Sequence, residues 1–473
     1  MSERRAQTAT AAIVGGGLAG LSAACALADA GFHVSLFERR PYLGGRASSY
    51  HHPGTDEVVD NCQHVLFGSC TNLIEFYQRI GISDKIGWSD RMTFVEPGGR
   101  QSILRASWLP APLHTAPAFL GFPFLGWADK LAIARALAAI LPAALPDNGE
   151  SFLNWLLHHG QTGNSIQRFW KPILVSALSE DLERMAVPYA AQVVRESMKS
   201  PAARRMGIPT IPLTELYNAA AEYIGGRGGE VRLRCAVEGF RPEDSGVSLS
   251  FADGSATFDF LVVAVPYNVL PSLLPQDPVS QGLRERLAQF ESSPITGIHL
   301  WLNRQITDLD HAVLLDRTIQ WMFHKSKLLR PGGSAPQNGR EGSHIELVVS
   351  ASKILLDKSK PEIIELAFAE LREFFPGARD ANLLKSAVIK EVHATYSPRP
   401  GIDALRPATQ TPWPRIFLAG DWVATGWPAT MESAVRSGYG AAECVAHALG
   451  ISDVCFRVPD LPAAGLMWLV DHS

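Results

Sequence analysis

The sequence predicts an α/β fold built on a parallel β-sheet, and three observations carry that prediction. Residues 10–46 run through a short apolar strand, a glycine-rich turn, a helix and a second strand. Two later apolar segments, residues 261–265 and 416–419, have the length and unbroken hydropathy of strands buried in a parallel sheet. A helix rich in small residues follows the last strand. This order is typical of a Rossmann-type nucleotide-binding domain that is discontinuous in sequence.

The glycines within residues 10–46 have the spacing G-x-G-x-x-G, as Gly15, Gly17 and Gly20. The first permits a tight turn, the second lets a pyrophosphate approach the backbone, and the third lets the helix pack on the strand. The helix N-terminus offers free N–H groups to phosphate charge. Glu38 ends the second strand about 20 residues later, where an acidic side chain accepts hydrogen bonds from ribose hydroxyls. Together these features predict a bound dinucleotide.

The length, charge and cysteine spacing of the chain exclude several classes of protein. The chain has 473 residues, of which 46% are hydrophobic, and a net charge of −4, so we expect a globular protein of two or more domains without a nucleic-acid partner. The 6 cysteines are scattered and form no C-x-x-C pair, which favours free thiols over disulfides or a metal site. Arg4 and Arg5 resemble a twin-arginine signal, but no apolar segment follows them. We therefore expect a cytoplasmic protein.

A second glycine motif, E-x-x-x-x-x-G-G-R, runs from Glu38 to Arg46. Adjacent glycines bring the backbone close to a ligand, and the guanidinium of Arg46 has the charge to pair with a pyrophosphate. The motif resembles that of the FAD-dependent amine oxidase and phytoene desaturase superfamily. The resemblance implies that FAD is the cofactor and that Arg40, Gly45 and Arg46 contact it.

The C-terminal residues 415–442 resemble the second FAD motif of that superfamily. A strand, Gly-Asp, a proline-containing loop, Met-Glu and a helix of small residues occur there in the same order. The resemblance implies that the aspartate holds the ribityl chain and that the helix dipole stabilises negative charge on the reduced ring. The cofactor contacts it implies are Gly420, Asp421, Ala429, Thr430, Met431 and, in a separate central segment, Val237.

Because the FAD motifs are dispersed, the resemblance implies a Rossmann-type FAD-binding domain with an inserted α+β substrate domain and a largely helical apolar region. The expected FAD-binding pieces are residues 1–100, 226–290 and 391–455, the substrate-binding and membrane-facing pieces are residues 101–225 and 291–390, and residues 456–473 form a C-terminal tail.

The first substrate-domain piece contains an unusually apolar segment. Residues 106–128 carry no formal charge, but four prolines interrupt them and exclude a regular membrane-spanning helix. A helical pattern with a single arginine follows at residues 131–141. Such a surface suits contact with one leaflet of a membrane, although apolar helices also pack internally. We expect monotopic association with the inner face of the cytoplasmic membrane.

Two further segments refine the resemblance. The pattern H-x-x-F-G-x-x-x-N-L after Asp60 and the segment IHLWLNR at residues 298–304 resemble the plant-type phytoene and zeta-carotene desaturases. Within that branch, the DNCQHVLFG segment and the compact length are most similar to the squalene-associated hydroxysqualene dehydroxylase family. Amine oxidases usually place a lysine near the flavin in the strand that follows Glu291. No lysine occurs between Glu291 and His324, which disfavours amine oxidation.

The finer resemblance implies reductive removal of the hydroxyl group of hydroxysqualene to give squalene, a C30 hopanoid precursor. Reduced FAD supplies the hydride, and NADPH or a separate reductase supplies the electrons. Loss of water needs a proton donor, for which we predict His64, oriented or charged by Asp60. The alternative is that His64 only holds the loop around the flavin.

Four residues are predicted to line the substrate pocket. The amides of Asn61 and Gln63 suit a hydroxyl-bearing substrate, although they are equally suited to satisfy buried groups of the protein itself. Trp301 and Trp427 are predicted beside the flavin, although tryptophan more often packs in cores. Three alternative functions stay open: a carotenoid-type desaturase that runs the flavin in the opposite direction, an amine oxidase, and a non-catalytic FAD-containing lipid carrier.

Overall fold

A computed structural model describes residues 9–142, 144–329 and 342–471 of the chain. Its strands are β1 (Thr10–Val14), β2 (His33–Glu38), β3 (Ser49–His52), β4 (Glu57–Asp60), β5 (Leu66–Phe67), β6 (Ile86–Ser89), β7 (Arg91–Val95), β8 (Gln101–Arg105), β9 (Met206–Pro209), β10 (Glu230–Leu233), β11 (Val237–Pro242), β12 (Val247–Phe251), β13 (Gly254–Phe258), β14 (Phe260–Val263), β15 (Ser292–Leu302), β16 (His311–Leu314), β17 (Trp321–His324), β18 (Ser343–Ser350), β19 (Leu383–Tyr396) and β20 (Ile416–Leu418).

The helices are numbered separately. They are α1 (Leu18–Asp29), α2 (Thr71–Arg79), α3 (Ala116–Leu120), α4 (Trp127–Ile140), α5 (Phe152–His158), α6 (Gly163–Ser165), α7 (Lys171–Leu178), α8 (Val187–Met198), α9 (Leu213–Gly225), α10 (Leu270–Leu273), α11 (Pro278–Leu287), α12 (Lys325–Leu328), α13 (Lys360–Phe374), α14 (Met431–Ala448) and α15 (Met467–Asp471). Ile166–Trp170 continues α6 into α7 as a short π-helix.

A five-stranded parallel sheet in the order β10-β2-β1-β14-β20 forms the nucleotide-binding domain. Its central strands are short and apolar because helices, including α1, cover one face, and the three-stranded antiparallel sheet β11-β12-β13 packs on the other. Helix α1 returns from β1 to β2 over one face, and α14 packs beside it. The carboxyl ends of the strands meet at one edge of the sheet, which is where ligands bind in such folds.

A seven-stranded mixed sheet in the order β19-β15-β18-β17-β16-β7-β8 forms the core of the second domain. All neighbours are antiparallel except β16 and β7. Alternate residues of β18, such as Ile345 and Leu347, pack in one core with α13, whereas Val348 belongs to the core on the opposite face. One face of this sheet therefore packs against α13, and the other packs against a separate core.

The structure moves three of the expected domain boundaries. Strand β7 lies before residue 100, and the end of β19 lies after residue 391, yet both belong to the seven-stranded sheet. Helix α9 lies before residue 226, yet its apolar face packs in the core of the nucleotide-binding domain. Strand pairing and burial, rather than the positions of the motifs, decide these assignments.

The apolar segment around residue 106 forms short helical turns up to α4, which begins four residues earlier than the helical pattern predicts. None of the helices in the described part of the chain is both long and apolar enough to cross a membrane. The C-terminal residues pack on the protein rather than forming a separate tail. Val458 N–H donates to Asn72 Oδ1 at 3.0 Å, and Leu466 N–H donates to the Ala111 carbonyl at 2.8 Å.

Candidate functional site

A cavity of about 1200 Å³ lies between the two domains. At one end its wall consists of the glycine motifs and the carboxyl ends of the parallel strands, and at the other end it consists of apolar helices. The cavity brings together most of the predicted cofactor contacts, namely Gly15, Gly17, Glu38, Arg40, Gly45, Arg46, Val237, Gly420, Asp421, Ala429, Thr430 and Met431. Segments from the start, middle and end of the chain thus form one continuous site.

The two glycine motifs touch through their backbones beneath this cavity. Gly44 N–H donates to the Gly16 carbonyl at 2.9 Å, and a Cβ on Gly45 would lie 3.0 Å from the Gly17 Cα. Gly45 also has φ of +62°, which L side chains rarely adopt. Gly17 is the N-cap of α1 and provides no side-chain cap, so the first N–H groups of the helix are left for a ligand. This narrow groove fits a pyrophosphate.

Glu38 lies at one side of the groove, beside the first glycine motif. Its two carboxylate oxygens accept hydrogen bonds from Gly16 N–H at 2.7 Å and Arg40 N–H at 2.8 Å. Each oxygen keeps a second lone pair, and the side chain lines the cavity, so Glu38 fits the ribose of a dinucleotide. Arg40 Nη1 donates to the Gly45 carbonyl at 3.1 Å, which ties the two motifs together.

Arg46 and Asp421 form an ion pair inside the cavity, with Nη2 and Oδ1 separated by 2.5 Å. Arg46 Nη1 also donates to the Ala394 carbonyl at 2.7 Å. Burial alone would lower the pKa of Arg46, but the Asp421 carboxylate outweighs burial and raises it. The predicted pyrophosphate partner is thus held by the residue predicted to bind the ribityl chain, and both still face the cavity.

Helix α14 points its N-terminus at the cavity. Thr430 is the N-cap, and its hydroxyl accepts a hydrogen bond from Ser433 N–H at 3.1 Å. Ala429, Thr430 and Met431 line the cavity at this point, where the helix dipole is positive. The geometry fits the predicted stabilisation of a negatively charged cofactor ring. Trp427 lines the cavity beside them, with the Arg436 guanidinium 4.7 Å from the centre of its ring.

The amides of Asn61 and Gln63 are occupied by the protein. Asn61 Nδ2 donates to the Arg46 carbonyl at 3.1 Å and to Glu391 Oε2 at 3.2 Å. Gln63 Oε1 accepts from Lys325 Nζ at 2.8 Å, and Gln63 Nε2 donates to the His64 carbonyl at 3.1 Å. Both residues line the cavity, but their hydrogen bonds serve to hold residues 61–64 in place.

His64 lines the cavity, and its Nδ1 lies 2.7 Å from the Cys62 carbonyl. Because a carbonyl only accepts, Nδ1 carries the proton and Nε2 of the neutral ring keeps a lone pair. Burial lowers the pKa of His64, with the Cys62 carbonyl opposing this effect, so the ring is neutral near pH 7. A neutral ring in this tautomer is a proton acceptor, which is the reverse of the donor role predicted from the sequence.

Asp60 does not orient His64, contrary to the prediction. Its carboxylate accepts from Lys325 Nζ at 2.6 Å, Ser49 Oγ at 2.7 Å and Leu213 N–H at 3.2 Å. Burial would raise the pKa of Asp60, but Lys325 outweighs burial and lowers it. Asp60 is therefore a buried counterion of a lysine that the sequence analysis did not single out.

Lys325 is the main functional candidate missed from the sequence. It follows directly after the interval that contains no lysine, and it is buried between Asp60 and Glu346, whose Oε2 lies 3.4 Å from Nζ. Burial would lower the pKa of Lys325, but the two carboxylates raise it to about 12. The only sequence signal is a lysine at the end of an apolar strand, which does not identify its partners.

Besides Asp60, two predicted site residues lie outside the cavity wall. Trp301 stacks on His344 with ring centres 4.2 Å apart and packs with Val59, so it is a core residue and not a pocket residue. Gly20 packs beneath the groove, where a Cβ would lie 1.9 Å from the Gly15 carbonyl oxygen. Gly20 therefore shapes the site without lining it.

The half of the cavity that lies away from the glycine motifs is apolar, and most of its lining residues were not predicted from the sequence. Its wall combines aromatic side chains from several elements with aliphatic side chains of α4. These residues are Phe67, Phe94, Phe119, Leu131, Leu137, Phe169, Trp321 and Phe323. Trp321 Nε1 donates to Ser176 Oγ at 2.7 Å, so its polar atom is satisfied and its ring presents an apolar face.

Replacing Gly20 with alanine is expected to lower both stability and FAD content. The new Cβ would press on the Gly15 carbonyl, so α1 must shift, at a cost of about 1–3 kcal/mol in the free energy of unfolding. Urea unfolding and the ratio of FAD to protein after desalting measure the two effects. Gly225→Ala is the control, because its Cβ meets nothing within 4 Å and should leave FAD content unchanged. Equal FAD content in both variants would contradict this role of Gly20.

Comparison with known proteins places this site in a family context. The model of the family described as flavin containing amine oxidoreductase matches residues 18–446. The chain is 26% identical to the 15-cis-phytoene desaturase of Synechococcus elongatus over 465 residues, which cover 92% of this chain and 95% of the relative. It is also 26% identical to the probable zeta-carotene desaturase of the same organism over 480 residues, which cover 93% of this chain and 99% of the relative.

Solved structures share the fold. An oxidoreductase from Methanosarcina mazei superposes with a TM-score of 0.70 at 16% identity, covering 92% of this chain and 100% of that chain. Wild-type putrescine oxidase bound to putrescine superposes with a TM-score of 0.70 at 17% identity, covering 92% of this chain and 98% of that chain. The predicted α/β fold with an FAD-binding domain is confirmed, and FAD is the cofactor that the glycine-lined groove fits.

Proposed function

The chain belongs to the family of flavin-containing amine oxidoreductases and is an FAD-dependent oxidoreductase, and from that premise we propose that it is a carotenoid-type desaturase. In this proposal the substrate is a long apolar polyene of the phytoene or zeta-carotene class. The reaction removes two hydrogens from adjacent carbons and leaves a new double bond.

The prediction of hydroxysqualene dehydroxylation, with squalene and hopanoid synthesis, is wrong. The relatives that align over 92–93% of the chain are named phytoene and zeta-carotene desaturases. The physical argument for an oxygenated substrate also fails, because Lys325 and Glu391 engage the amides of Gln63 and Asn61. The NADPH or reductase partner was inferred for that reaction, whereas a desaturase needs an electron acceptor.

The observation that carries the proposal is the shape and chemistry of the cavity. It runs without interruption from the FAD groove to an apolar half lined by side chains such as Phe119, Leu131 and Phe323. An apolar chain gains about 0.8 kcal/mol for each methylene that it buries in such a wall. Two carboxylates of the cavity wall, Glu196 and Glu391, are already engaged by Lys199 and Asn61, so a small cationic amine would lose its hydration there for little return. The cavity therefore favours a polyene over an amine.

FAD, held by the glycine motifs, Glu38 and the Arg46–Asp421 pair, would supply the hydride acceptor, and the adjacent carbon of the substrate must lose a proton to a group of the chain. The chain contributes the orientation of the substrate, the exclusion of water and a group for the proton. Apolar side chains hold the polyene along the cavity and keep water away. His64 is neutral, and a lone pair remains on Nε2, so we propose it as the proton acceptor.

We further propose that the mouth of the cavity rests on a membrane. Leu113, Leu120, Trp127 and Leu131 line the cavity and are also exposed, Trp127 by 69% of its surface. Trp108, which is 90% exposed, lies on the same apolar segment before α3. An exposed apolar surface around the cavity mouth fits a bilayer better than water. Contact with lipid would let a polyene enter without crossing water.

The double variant Trp127→Ser/Leu131→Ser is expected to weaken binding to liposomes by at least about 10²-fold. Burying each side chain is worth about 1.5–3 kcal/mol, and 1.4 kcal/mol corresponds to a tenfold change. Liposome flotation at several lipid concentrations measures the affinity. Ile354→Ser is the matched control, because Ile354 is 68% exposed but does not line the cavity. Wild-type affinity in the double variant would contradict membrane contact at this mouth.

The proposed activity is tested by supplying phytoene or zeta-carotene in liposomes to the FAD-loaded protein, with an added quinone as oxidant. A desaturase yields a polyene with one or more additional double bonds, which shift its absorption to longer wavelength and lower its mass by two hydrogens for each bond. A matched sample with FAD removed controls for chemical oxidation. Unchanged polyenes in the presence of tightly bound, reducible FAD would reject the proposal in favour of another apolar substrate.

A further inference from the structure

A buried polar cluster lies behind the cavity, on the same face of the seven-stranded sheet. In β18, Glu346 is two residues from the cavity-lining Val348, so both side chains point to this face. Across the sheet Glu346 is paired with His299 of β15 and with Phe323 of β17, and Phe323 lines the cavity. Glu346 is therefore buried next to residues of the cavity wall but does not itself line the cavity.

Residues 61–64 separate this cluster from the cavity. A Cβ on Gly297 would lie 3.2 Å from the Asn61 carbonyl oxygen, so the segment packs directly on β15. Gln63 lines the cavity and accepts a hydrogen bond from Lys325 Nζ. The cluster is thus linked through Gln63 to the cavity, and the same segment reaches the cofactor end, where Asn61 Nδ2 donates to the Arg46 carbonyl.

The cluster holds two carboxylates and one lysine. Lys325 Nζ lies 2.6 Å from Asp60 Oδ2 and 3.4 Å from Glu346 Oε2, so its pairing with Asp60 is the closer of the two. Glu346 is fully buried, and among the described residues neither of its oxygens makes a well-formed hydrogen bond; Lys325 Nζ and the Gln63 backbone N–H are the donors that face it. A buried carboxylate in this position is costly when ionised.

The neighbours of Glu346 do not supply a second positive charge. The titratable and charged groups that face it from the packed strands, helix and loop are Lys325, Asp60, Cys62, His299 and His344. Burial lowers the pKa of His299 to about 4, and burial together with His299 lowers the pKa of His344. Both histidines are therefore neutral near pH 7, and Glu346 is the group of the cluster that is free to change its protonation.

We propose that Glu346 is a proton-uptake site coupled to the cofactor: its carboxylate gains a proton from solvent when two-electron reduction places negative charge in the adjacent cavity. The proton joins one oxygen of Glu346, and no other bond is made or broken in the protein. Uptake removes one negative charge from behind residues 61–64 and so compensates the charge that the cofactor gains. The inference rests on FAD binding and does not require a polyene substrate.

The electrostatic balance of the site supports this proposal. Burial raises the pKa of Glu346, Lys325 opposes this effect, and the resulting pKa is about 7. A group with this pKa is largely ionised at about pH 8 before reduction, and an added negative charge nearby raises its pKa further. Reduction at about pH 8 should then be accompanied by extra proton uptake, whereas at about pH 5.5 the carboxyl is already protonated.

The test compares the FAD-loaded wild-type protein with Glu346→Gln, without substrate. The pH dependence of the reduction midpoint of bound FAD gives the number of protons taken up for each FAD reduced. At about pH 8 the wild type should take up more protons than the variant, approaching one extra proton, and at about pH 5.5 the two should agree. Equal proton numbers at both pH values would overturn the proposal.

A control variant tests whether any buried carboxylate behaves in this way. Glu180→Gln alters a fully buried carboxylate whose pKa is lowered, because hydrogen bonds from Lys353 and Ser397 outweigh burial. Since Glu180 is ionised throughout this pH range, its variant should match the wild type. An effect as large as that of Glu346→Gln would also overturn the proposal.

A second measurement keeps the test decisive if Glu346→Gln does not fold. The infrared difference spectrum between reduced and oxidised wild-type protein at about pH 8 should contain the C=O band of a newly protonated carboxylic acid. Glu346→Asp should shift that band. A wild-type spectrum without the band, or a band that Glu346→Asp leaves unmoved, would contradict the assignment to Glu346.

Discussion

Replacing Lys325 with methionine is expected to lower the free energy of unfolding by about 3–5 kcal/mol, because it leaves buried carboxylates without their counterion. Lys325 is 2% exposed, and its ammonium group contacts both Asp60 and Glu346. Methionine fills a similar volume, so the loss of charge dominates over the loss of packing. Urea unfolding of the FAD-loaded protein measures the effect.

The control for this prediction is Lys385→Met. Lys385 pairs with Glu57 at 2.7 Å, but the lysine side chain is 44% exposed, so the loss should be no more than about 1 kcal/mol. Adding Glu346→Gln to Lys325→Met should recover part of the stability, because one uncompensated carboxyl is removed. A loss for Lys325→Met no larger than that for Lys385→Met would mean that the cluster does not stabilise the fold.

Replacing His64 with phenylalanine is expected to slow the reduction of bound FAD by a polyene about 10²–10⁴-fold, the range typical of losing a general acid or base. The ring lines the cavity, and its Nδ1 is committed to the Cys62 carbonyl, so only Nε2 is available to a proton. Phenylalanine keeps the ring shape and removes both nitrogens. Stopped-flow absorption of FAD measures the rate, and the FAD content should not change.

Two further measurements distinguish a His64 that accepts the proton from a His64 that only holds its loop in place. His64→Gln retains a donor for the Cys62 carbonyl but has no basic nitrogen, so it should be as slow as His64→Phe. Because burial lowers the pKa of His64, the wild-type rate should stay constant through neutral pH and fall only in acid below the usual histidine range. A wild-type rate in His64→Gln would show that His64 only holds its loop.

The nucleotide-binding half of the site was predictable because it is built from backbone turns and close contacts that only glycine permits. Gly15, Gly20 and Gly45 are required where a turn or two segments of chain meet, and a side chain there would collide or strain the backbone. Such requirements leave a spacing pattern that the sequence displays directly. The strand–helix–strand unit, the groove and the cofactor followed from that pattern.

The other half was not predictable, because its contacts join residues that are far apart in the chain. Asp60 and Lys325 are separated by 265 positions, and neither belongs to a motif that specifies the other. The same distance explains the error about Asn61 and Gln63. Their amides look available for a substrate until the fold brings Glu391 and Lys325 against them. Domain boundaries failed for a related reason, since β7 and the end of β19 pair across long intervals.

The most direct test of the proposed function is an anaerobic single turnover of the oxidised, FAD-loaded protein with phytoene or zeta-carotene in liposomes. The account predicts that the absorption of oxidised FAD is lost as the polyene gains double bonds, with one new double bond for each FAD reduced. It is contradicted if the absorption is unchanged with both polyenes while the same FAD remains bound and is reduced at once by dithionite.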